Sequence, residues 1–433
     1  MLSPLQILCT GDLHLGRYPS RVPSRRRELS VKKVWEDLVT YAVQQKVDVV
    51  ALTGDVIHNE NATYESFGPL QRGLEQLDDA EVATVAVAGN HDYDALPRID
   101  NMVEAPRFSL LGRGGQWEET LVETEGSTPV QFVGWSFRDA HEPDSPLDGF
   151  RDDLVNNKVP TVGLLHAEIG SEDSVYAPVS TQELRRQPVA AWLLGHIHQP
   201  QRWEETAPPI LYPGSPQPLD PSDTGARGPR LVEVDADRNV TTTALSRATV
   251  RYESVEVDVG GKDDIEGVEE AVTDALRDSL REALESQSEL LHLVCRLRLT
   301  GRTSTHRQIG DLLSRLADGF ELPVGEAAAS VDKAEVFTRP DLDLERIAEG
   351  SDPPAVLATL LRAVEEEEET DLVKEAWEAI EEALEPVLRS PAYRPLRGLE
   401  DDPVGQKEMK EVIREQGLLL LDELLDQTES ADN

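Results

Sequence analysis

Short apolar runs, each closed by a polar turn, punctuate the first half of the chain. LQILCT precedes Gly11, VDVVALT precedes Gly54, and VATVAVA precedes Gly89. TVGLL precedes His166 and AAWLL precedes Gly195. Runs of this length, bounded by Gly turns, read as buried strands. Helical stretches lie between them, from about Leu29 to Gln45 and near Tyr64 to Leu77. Strands alternating with helices predict stacked βαβ units. VQFVGW at 130–135, RLVEVDA at 230–236 and VTTTAL at 240–245 read as plain or antiparallel strands. The expectation for this half is a mixed sheet sandwich with helices outside.

The texture changes near Arg251. A strand (YESVEVDV), a helix from about Asp264 to Ser286, a strand (LLHLVCRLRL), a helix from about Thr305 to Ala317 and a strand (VDKAEVF) follow. This predicts a small α/β domain. After Pro340 only helices are expected, one starting at Pro353 with Asp352 as its N-cap. The predicted division is therefore 1–250, 251–339 and 340–433. Five Glu at 365–369 read as a solvated face, with a binding tail as the alternative. Val404, Met409, Val412, Ile413, Leu418, Leu420, Leu421, Leu424 and Leu425 recur at near-helical spacing. Gly417 is expected to split that segment into two helices. Its apolar stripe would either pack on its own domain or meet a partner.

Composition sharpens this picture. The chain has 433 residues and a formal net charge of −41, from 83 Asp and Glu against 42 Lys and Arg. Of the basic residues 33 are Arg and 9 are Lys, and aromatics are 5%. Excess carboxylates with scarce Lys predict a protein kept soluble in concentrated salt, a halophilic habitat. Apolar content of 39% excludes disorder along the whole chain. Cys9 and Cys295 allow one bridge at most, so a reducing cytoplasm is expected. No run approaches the roughly 18 apolar residues of a membrane span, so no membrane partner is expected. Seven of nine His fall in the first 198 residues, which predicts N-terminal chemistry.

Five short motifs sit at the predicted strand ends. They are Gly11-Asp12-Leu13-His14, Gly54-Asp55-Val56-Ile57-His58, Gly89-Asn90-His91-Asp92, Leu165-His166 and Gly195-His196-Ile197-His198. Strand C-termini are the usual place for a site in an α/β sheet. Carboxylates mixed with imidazoles suit manganese, iron or zinc. Phosphoester hydrolysis needs a nucleophile at neutral pH and relief of charge on the phosphoryl oxygens. Two divalent ions about 3.5–4 Å apart supply both, through a bridging water. Asp55, central in the set, is the natural shared carboxylate, and a protonated His beside the ions could donate to the leaving oxygen. His141, His292 and His306 fall outside the motifs and read as structural or surface residues.

The ordered set resembles that of the calcineurin-like metallophosphoesterases, with no ligand missing. The resemblance implies a four-layer αββα sandwich. It implies one ion on Asp12, His14, Asp55 and His198, and a second on Asp55, Asn90, His166 and His196. It makes His91 the acid that protonates the leaving group. Gly11-Asp12-Leu13-His14-Leu15-Gly16 and Gly54-Asp55-Val56-Ile57-His58 are similar to motifs of the SbcD-type and meiotic recombination DNA-repair nucleases, as is Tyr212-Pro213-Gly214-Ser215. By that match His58 assists His91. The Asp-Arg-Gly and GNHE of protein phosphatases are replaced by His58-Asn59-Glu60 and GNHD. The likeness covers about residues 5–220. Beyond that only the family layout is shared, a small capping domain and then helices that bind a coiled-coil ATPase of the SbcC type. A homodimer is the alternative association.

One segment resists the overall charge. Arg17, Arg21, Arg25, Arg26, Arg27, Lys32 and Lys33 lie between the first two motifs, interrupted only by Glu28. Arg suits bidentate phosphate contacts, so the five Arg are the candidate DNA contacts. The expected function is a two-metal DNA nuclease of double-strand-break repair, a 3′→5′ exonuclease with some endonuclease activity. Manganese is the expected ion. A phosphodiesterase or phosphatase for small molecules, and a non-catalytic scaffold of the same fold, are the alternatives.

Overall fold

A computed structural model describes residues 2–431 apart from 23–26, 59–63, 171–173, 204–206, 318, 369 and 389–405. Most of its strands follow the apolar runs, while Phe108–Leu110, Glu118–Val122, Gln201–Trp203 and Ile210–Tyr212 fall outside them. In chain order they begin β1 (Leu5–Thr10), β2 (Val49–Leu52), β3 (Ala83–Ala86) and β4 (Phe108–Leu110). Then come β5 (Glu118–Val122), β6 (Val130–Trp135), β7 (Thr161–His166) and β8 (Ala191–Gly195). β9 (Gln201–Trp203), β10 (Ile210–Tyr212), β11 (Arg230–Val234) and β12 (Val240–Ala244) complete the set.

These strands form two six-stranded sheets, ordered β12-β11-β1-β2-β3-β4 and β5-β6-β7-β8-β10-β9. In the first, β1 to β4 run parallel and β11 joins β1 antiparallel. In the second, β6, β7, β8 and β10 run parallel, with β5 and β9 antiparallel at the edges. Alternation along β1 explains the layers. Leu5, Ile7 and Cys9 enter the core between the sheets, with Val49, Phe132, Leu164 and Leu193. Leu8 points the other way, into a core with Trp35, Leu38 and Leu74. Those residues lie on the helices Val31–Gln45 and Tyr64–Asp79. Strands buried on both faces read as unbroken apolar runs rather than alternating ones. Beyond the second sheet, Trp192 and Leu194 pack with Leu184 of the helix Thr181–Arg186. The order of layers is therefore helix, sheet, sheet, helix, the sandwich the sequence predicts.

A four-stranded sheet follows, in the order Val250–Asp258, His292–Thr300, Ala327–Val336, Glu321–Val324. The short strand Glu321–Val324 has no counterpart in the sequence reading. The chain divides into two compact units. One holds Met1–Val255, Leu276–Arg296 and Gly319–Lys333, the other Glu256–Ala275, Leu297–Asp318 and Ala334–Asn433.

Within the second unit, Asp352 caps the helix Pro353–Glu365 by accepting from the Ala355 N–H at 3.1 Å. The last helix, Gln406–Ala431, runs unbroken through Gly417, contrary to the expected split. The glycine serves packing instead: a Cβ there would lie 2.6 Å from Leu361 Cδ2. Ile413, Leu418 and Leu421 are buried in this unit's core with Ala358 and Leu361, while Leu420 is 50% exposed. Much of the apolar stripe therefore packs on its own unit. Val404 lies outside the described residues. Glu365 to Glu368 are exposed, and Glu365 and Glu367 pair with Arg414 and Lys410 at 2.7 and 3.0 Å. No helix among the described residues is long and apolar enough to cross a membrane.

One contact tests how tightly the second sheet is packed. Gly163 of β7 stands opposite Trp192 of β8, and a Cβ there would meet the indole at 2.2 Å. The indole is fully buried and donates to the Leu184 carbonyl at 2.9 Å. Gly163→Ala should therefore cost about 1–3 kcal/mol. Urea unfolding followed by tryptophan fluorescence measures this, and an unchanged midpoint would contradict it.

Candidate metal centre

The chain bends sharply as it leaves β1, β2 and β8. Asp12, His14 and Asp55 have φ near +50°, and His196 has φ +98°. Non-Gly residues hold this region only where surrounding contacts fix them. Here the first two turns are stitched together. Asp12 N–H donates to the Gly54 carbonyl at 3.0 Å, His14 N–H to the Asp55 carbonyl at 2.9 Å, and Leu15 N–H to the Val56 carbonyl at 2.8 Å. Gly54 has φ +95°, and a Cβ on it would lie 2.5 Å from His166 Nδ1. Only glycine fits so close to that ring.

The strand ends bring the predicted ligands together from both sheets. His14 Nε2 lies 3.1 Å from His198 Nε2 and 3.9 Å from Asp55 Oδ2. His166 Nε2 lies 3.4 Å from Asp55 Oδ2 and 3.1 Å from Asn90 Oδ1. The carboxylate of Asp12 accepts the His196 N–H at 3.0 Å. Two donor groups, Asp12–His14–His198 and Asp12–Asp55–His166, have ligand atoms mutually within 4.8 Å. A third, His14–His58–His91, meets the same limit. The rings of His58 and His91 stack at 4.9 Å, and His91 meets His14 edge-on at 5.0 Å. The backbone N–H of His91 donates to Asp55 Oδ1 at 2.8 Å.

This donor set suits a pair of divalent cations. Burial pushes the Asp12 carboxyl up to about 6, against the pull of His166 and His198. Burial also opposes charge on Asp55, but His166, His14 and His91 hold its carboxyl far below the usual range. Burial disfavours a charged His166 too, yet Asp55 and Asp12 outweigh it and raise that imidazole to about 9. His196 falls to about 3 through burial and the neighbouring His166. Protons thus stand where cations would neutralise the carboxylates. The two Nε2 atoms of His14 and His198 also face each other, an arrangement that needs a proton or a cation between them.

Several supporting groups gave no clear signal in the sequence. His166 Nδ1 sits 3.0 Å from the Thr53 carbonyl, which fixes the tautomer and turns Nε2 toward Asp55. Asp92 is fully buried and accepts three backbone N–H groups: Gly89 and Val56 at 2.7 Å, and Ile57 at 3.3 Å. It ties the turn after β2 to the turn after β3. Asp223 Oδ2 stands 3.8 Å from His198 Nδ1. Burial resists charge on His198, and the neighbouring Asp223 carboxylate raises its pKa nevertheless. Buried Arg227 donates to the His198 carbonyl and, at 2.6 Å, to Gln199 Oε1. Ser215 N–H donates to the same His198 carbonyl at 3.0 Å, so the Tyr212–Ser215 turn braces this candidate ligand. Asp92 was visible in its motif without a role, whereas nothing in the spacing of Asp223 or Arg227 points to the site.

The basic segment is only partly described. Arg25 and Arg26 lie outside the described residues. Arg17 is half-buried, its N–H donating to the His14 carbonyl at 3.0 Å. Arg27 is exposed in the short turn Arg27–Leu29. Arg21 is engaged by Asp332, with Nε 3.0 Å from Oδ1. Lys32 and Lys33 pair with Glu36 and Asp37 on their own helix. Of the other His, His292 is buried with Nε2 2.9 Å from Ser330 Oγ, His306 contacts Thr338 Oγ1 at 2.7 Å, and exposed His141 lies against Tyr176.

Comparison with known proteins agrees with this chemistry. Residues 5–200 match the calcineurin-like phosphoesterase family, and residues 252–339 match the middle domain of metallophosphoesterase YhaO. The chain is 26% identical over 244 residues to the uncharacterized metallophosphoesterase YhaO of Bacillus subtilis, covering 54% of this chain and 58% of that one. It is 28% identical over 283 residues to the DNA double-strand break repair protein Mre11 of Haloferax volcanii, covering 62% and 58%. Against the protein of the same name from Halobacterium salinarum it is 25% identical over 365 residues, covering 81% and 87%. The matches thus span 58% of the length of the first two relatives.

Two measurements follow from the geometry. A metal-ligating imidazole must be neutral, and His166 in the cation-free protein holds its proton up to about pH 9. Manganese binding at pH 7 should therefore release on the order of one proton, with affinity rising as pH climbs toward 9. Calorimetry in buffers of different ionisation heat reads this, and heats independent of buffer would contradict it. Asp92→Ala leaves three buried N–H groups without an acceptor, so it should destabilise the protein by about 2–4 kcal/mol. Denaturant unfolding against Asp92→Asn checks this, since the amide keeps one acceptor oxygen.

Proposed function

Given that residues 5–200 form a calcineurin-like metallophosphoesterase domain, we propose that the chain is a two-metal DNA nuclease of double-strand-break repair. The observation that carries the reading is the site itself: Asp55 buried among His14, His166 and His91, with Asp12 and His198 alongside. Similarity to proteins named for DNA double-strand break repair, one over 81% of this chain, supports the substrate class. In this reading one ion is held by Asp12, His14, Asp55 and His198, and the other by Asp55, Asn90, His166 and His196. Manganese is the proposed ion, because carboxylate, amide and imidazole donors are mixed. When bound, the pair would lower the pKa of the attacking water and neutralise the phosphoryl oxygens.

The chain's own residues do the rest. Asp55 orders His91 by accepting its backbone N–H at 2.8 Å. His91 gives a proton to the leaving oxygen, and His58, stacked on it at 4.9 Å, keeps that ring in place. Thr53 holds His166 in the tautomer that binding needs, and the Asp223 carboxylate faces His198 Nδ1 at 3.8 Å. Arg17, Arg25, Arg26 and Arg27 contact the phosphate backbone. Cleavage from 3′ ends, some internal cleavage, and work in concentrated salt belong to the same proposal. So do a division at residues 250 and 339 and a coiled-coil ATPase partner.

End-labelled duplex DNA with manganese, across salt concentrations, tests the reading. His91→Ala should slow cleavage by about 10²- to 10⁴-fold while keeping its bound manganese. Asp55→Ala should lose both cleavage and metal, with the circular dichroism of the fold retained. Full cleavage by His91→Ala would remove the proposed acid. Hydrolysis of a chromogenic phosphodiester without cleavage of DNA would favour a small-molecule phosphodiesterase.

A further inference from the structure

The segment that follows His14 is anchored at its far end by residues remote in sequence. Ser20 N–H donates to the Leu219 carbonyl at 2.9 Å, and the Ser20 carbonyl accepts from Tyr252 Oη at 2.6 Å. Val22 packs with Leu29, Val250, Tyr252 and Val294. Between these contacts Arg21 adopts φ +61°, a strained backbone for a residue with a side chain. Its guanidinium reaches Asp332, whose side chain is 5% exposed. Asp332 Oδ1 lies 3.0 Å from Arg21 Nε, and Oδ2 lies 2.9 Å from Arg296 Nε. A carboxylate so far out of water demands cationic partners, and among the described residues Arg296 alone would leave one oxygen unmatched.

The near end of the segment belongs to the metal centre. Arg17 N–H closes a turn onto the His14 carbonyl at 3.0 Å, and Tyr18 stands 55% exposed just beyond it. The contacts of Leu219 continue inward, since its N–H donates at 3.0 Å to the Asp223 carboxylate that faces His198. We infer that Asp332 is a positioning residue: by holding Arg21 it fixes the segment Gly16–Val22, and so sets how Arg17 and Tyr18 are presented to substrate beside His14. Arg21, from its place among the basic residues a candidate phosphate contact, is committed to this latch instead. The substrate half of the inference rests on the nuclease reading, and the latch half does not.

Two measurements on the full chain separate these halves. Amide hydrogen exchange of residues 16–22 should quicken in Asp332→Asn and in Arg21→Gln alike. The double variant should be no faster than either single one. Wild-type exchange in Asp332→Asn, or additive effects in the double variant, would overturn the latch. Steady-state kinetics then compares two substrates. Asp332→Asn should raise KM for duplex DNA about tenfold, the loss of one well-placed contact. Its kcat on a chromogenic phosphodiester should stay at the wild-type value, and Asp332→Glu should restore KM. An equal loss on both substrates would mark a general defect and sink the substrate half. If wild-type protein cleaves the chromogen but no DNA, the nuclease reading fails and the exchange result alone decides the latch.

Discussion

Ionisation of Asp55 in a water-free position is the constraint on which the site depends. A buried carboxylate is costly unless positive charge or hydrogen bonds surround it. Asp55 is 2% exposed, and chiefly the His166 imidazole at 3.4 Å and the His91 N–H at 2.8 Å supply what it needs. Meeting that need brings His14, His91 and His166 within reach of one carboxylate. It also explains the neighbouring glycines. A Cβ on Gly89 would stand 2.3 Å from Asp55 Oδ1 and would displace the carboxylate.

The same constraint explains why two sheets are required. β1, β2 and β3 lead into Asp12, His14, Asp55, Asn90 and His91, while β7 and β8 lead into His166, His196 and His198. Neither sheet alone holds a complete donor set. The sheets must meet at their C-terminal ends more closely than side chains normally permit. At Gly195 an added Cβ would lie 2.0 Å from the Thr53 carbonyl, which itself orients His166. Apolar packing of Ile7, Val49, Leu164 and Leu193 between the sheets therefore does more than stabilise the fold. It sets the spacing at which donors from opposite layers face each other. Buried cores deform little, so the spacing is rigid.

Much of this was legible in the sequence, for a physical reason. Polar residues at strand ends follow apolar runs at fixed offsets, so Asp12, Asp55, Asn90, His166 and His196 announce themselves by position as candidate ligands. Helices beside those strands were equally plain, because amphipathic spacing is local. The supporting partners were not. Asp223 serves His198 across 25 residues, and Asp332 serves Arg21 across more than 300. No periodicity links such pairs, since only the folded backbone makes them neighbours. Gly417 was misread for a related reason. A glycine inside a helical pattern suggests a break, and only the approach of Leu361 shows that it makes room for packing.

Long-range pairing also changes the meaning of the charge. By count the first 60 residues are close to neutral while the chain carries −41, which suggested a basic face kept for a polyanion. Yet Arg21, Lys32 and Lys33 are engaged by Asp332, Glu36 and Asp37. Lys32 and Lys33, each beside a carboxylate of its own, offer little net field at a distance of several ångströms, while Arg21 shares Asp332 with Arg296 and that trio keeps one positive charge. The attraction of this region for phosphate is therefore smaller than its composition implies. In concentrated salt, where the screening length shrinks to about 3 Å, distant charges of either sign would matter less still. Only groups in near contact with the substrate keep their influence under those conditions. Around this site the described candidates for such contact are the stacked imidazoles His58 and His91 and any cations held beside Asp12 and Asp55. For so acidic a chain, recognition of a polyanion would be a matter of short-range geometry, and how the segment after His14 is held would weigh more than its formal charge.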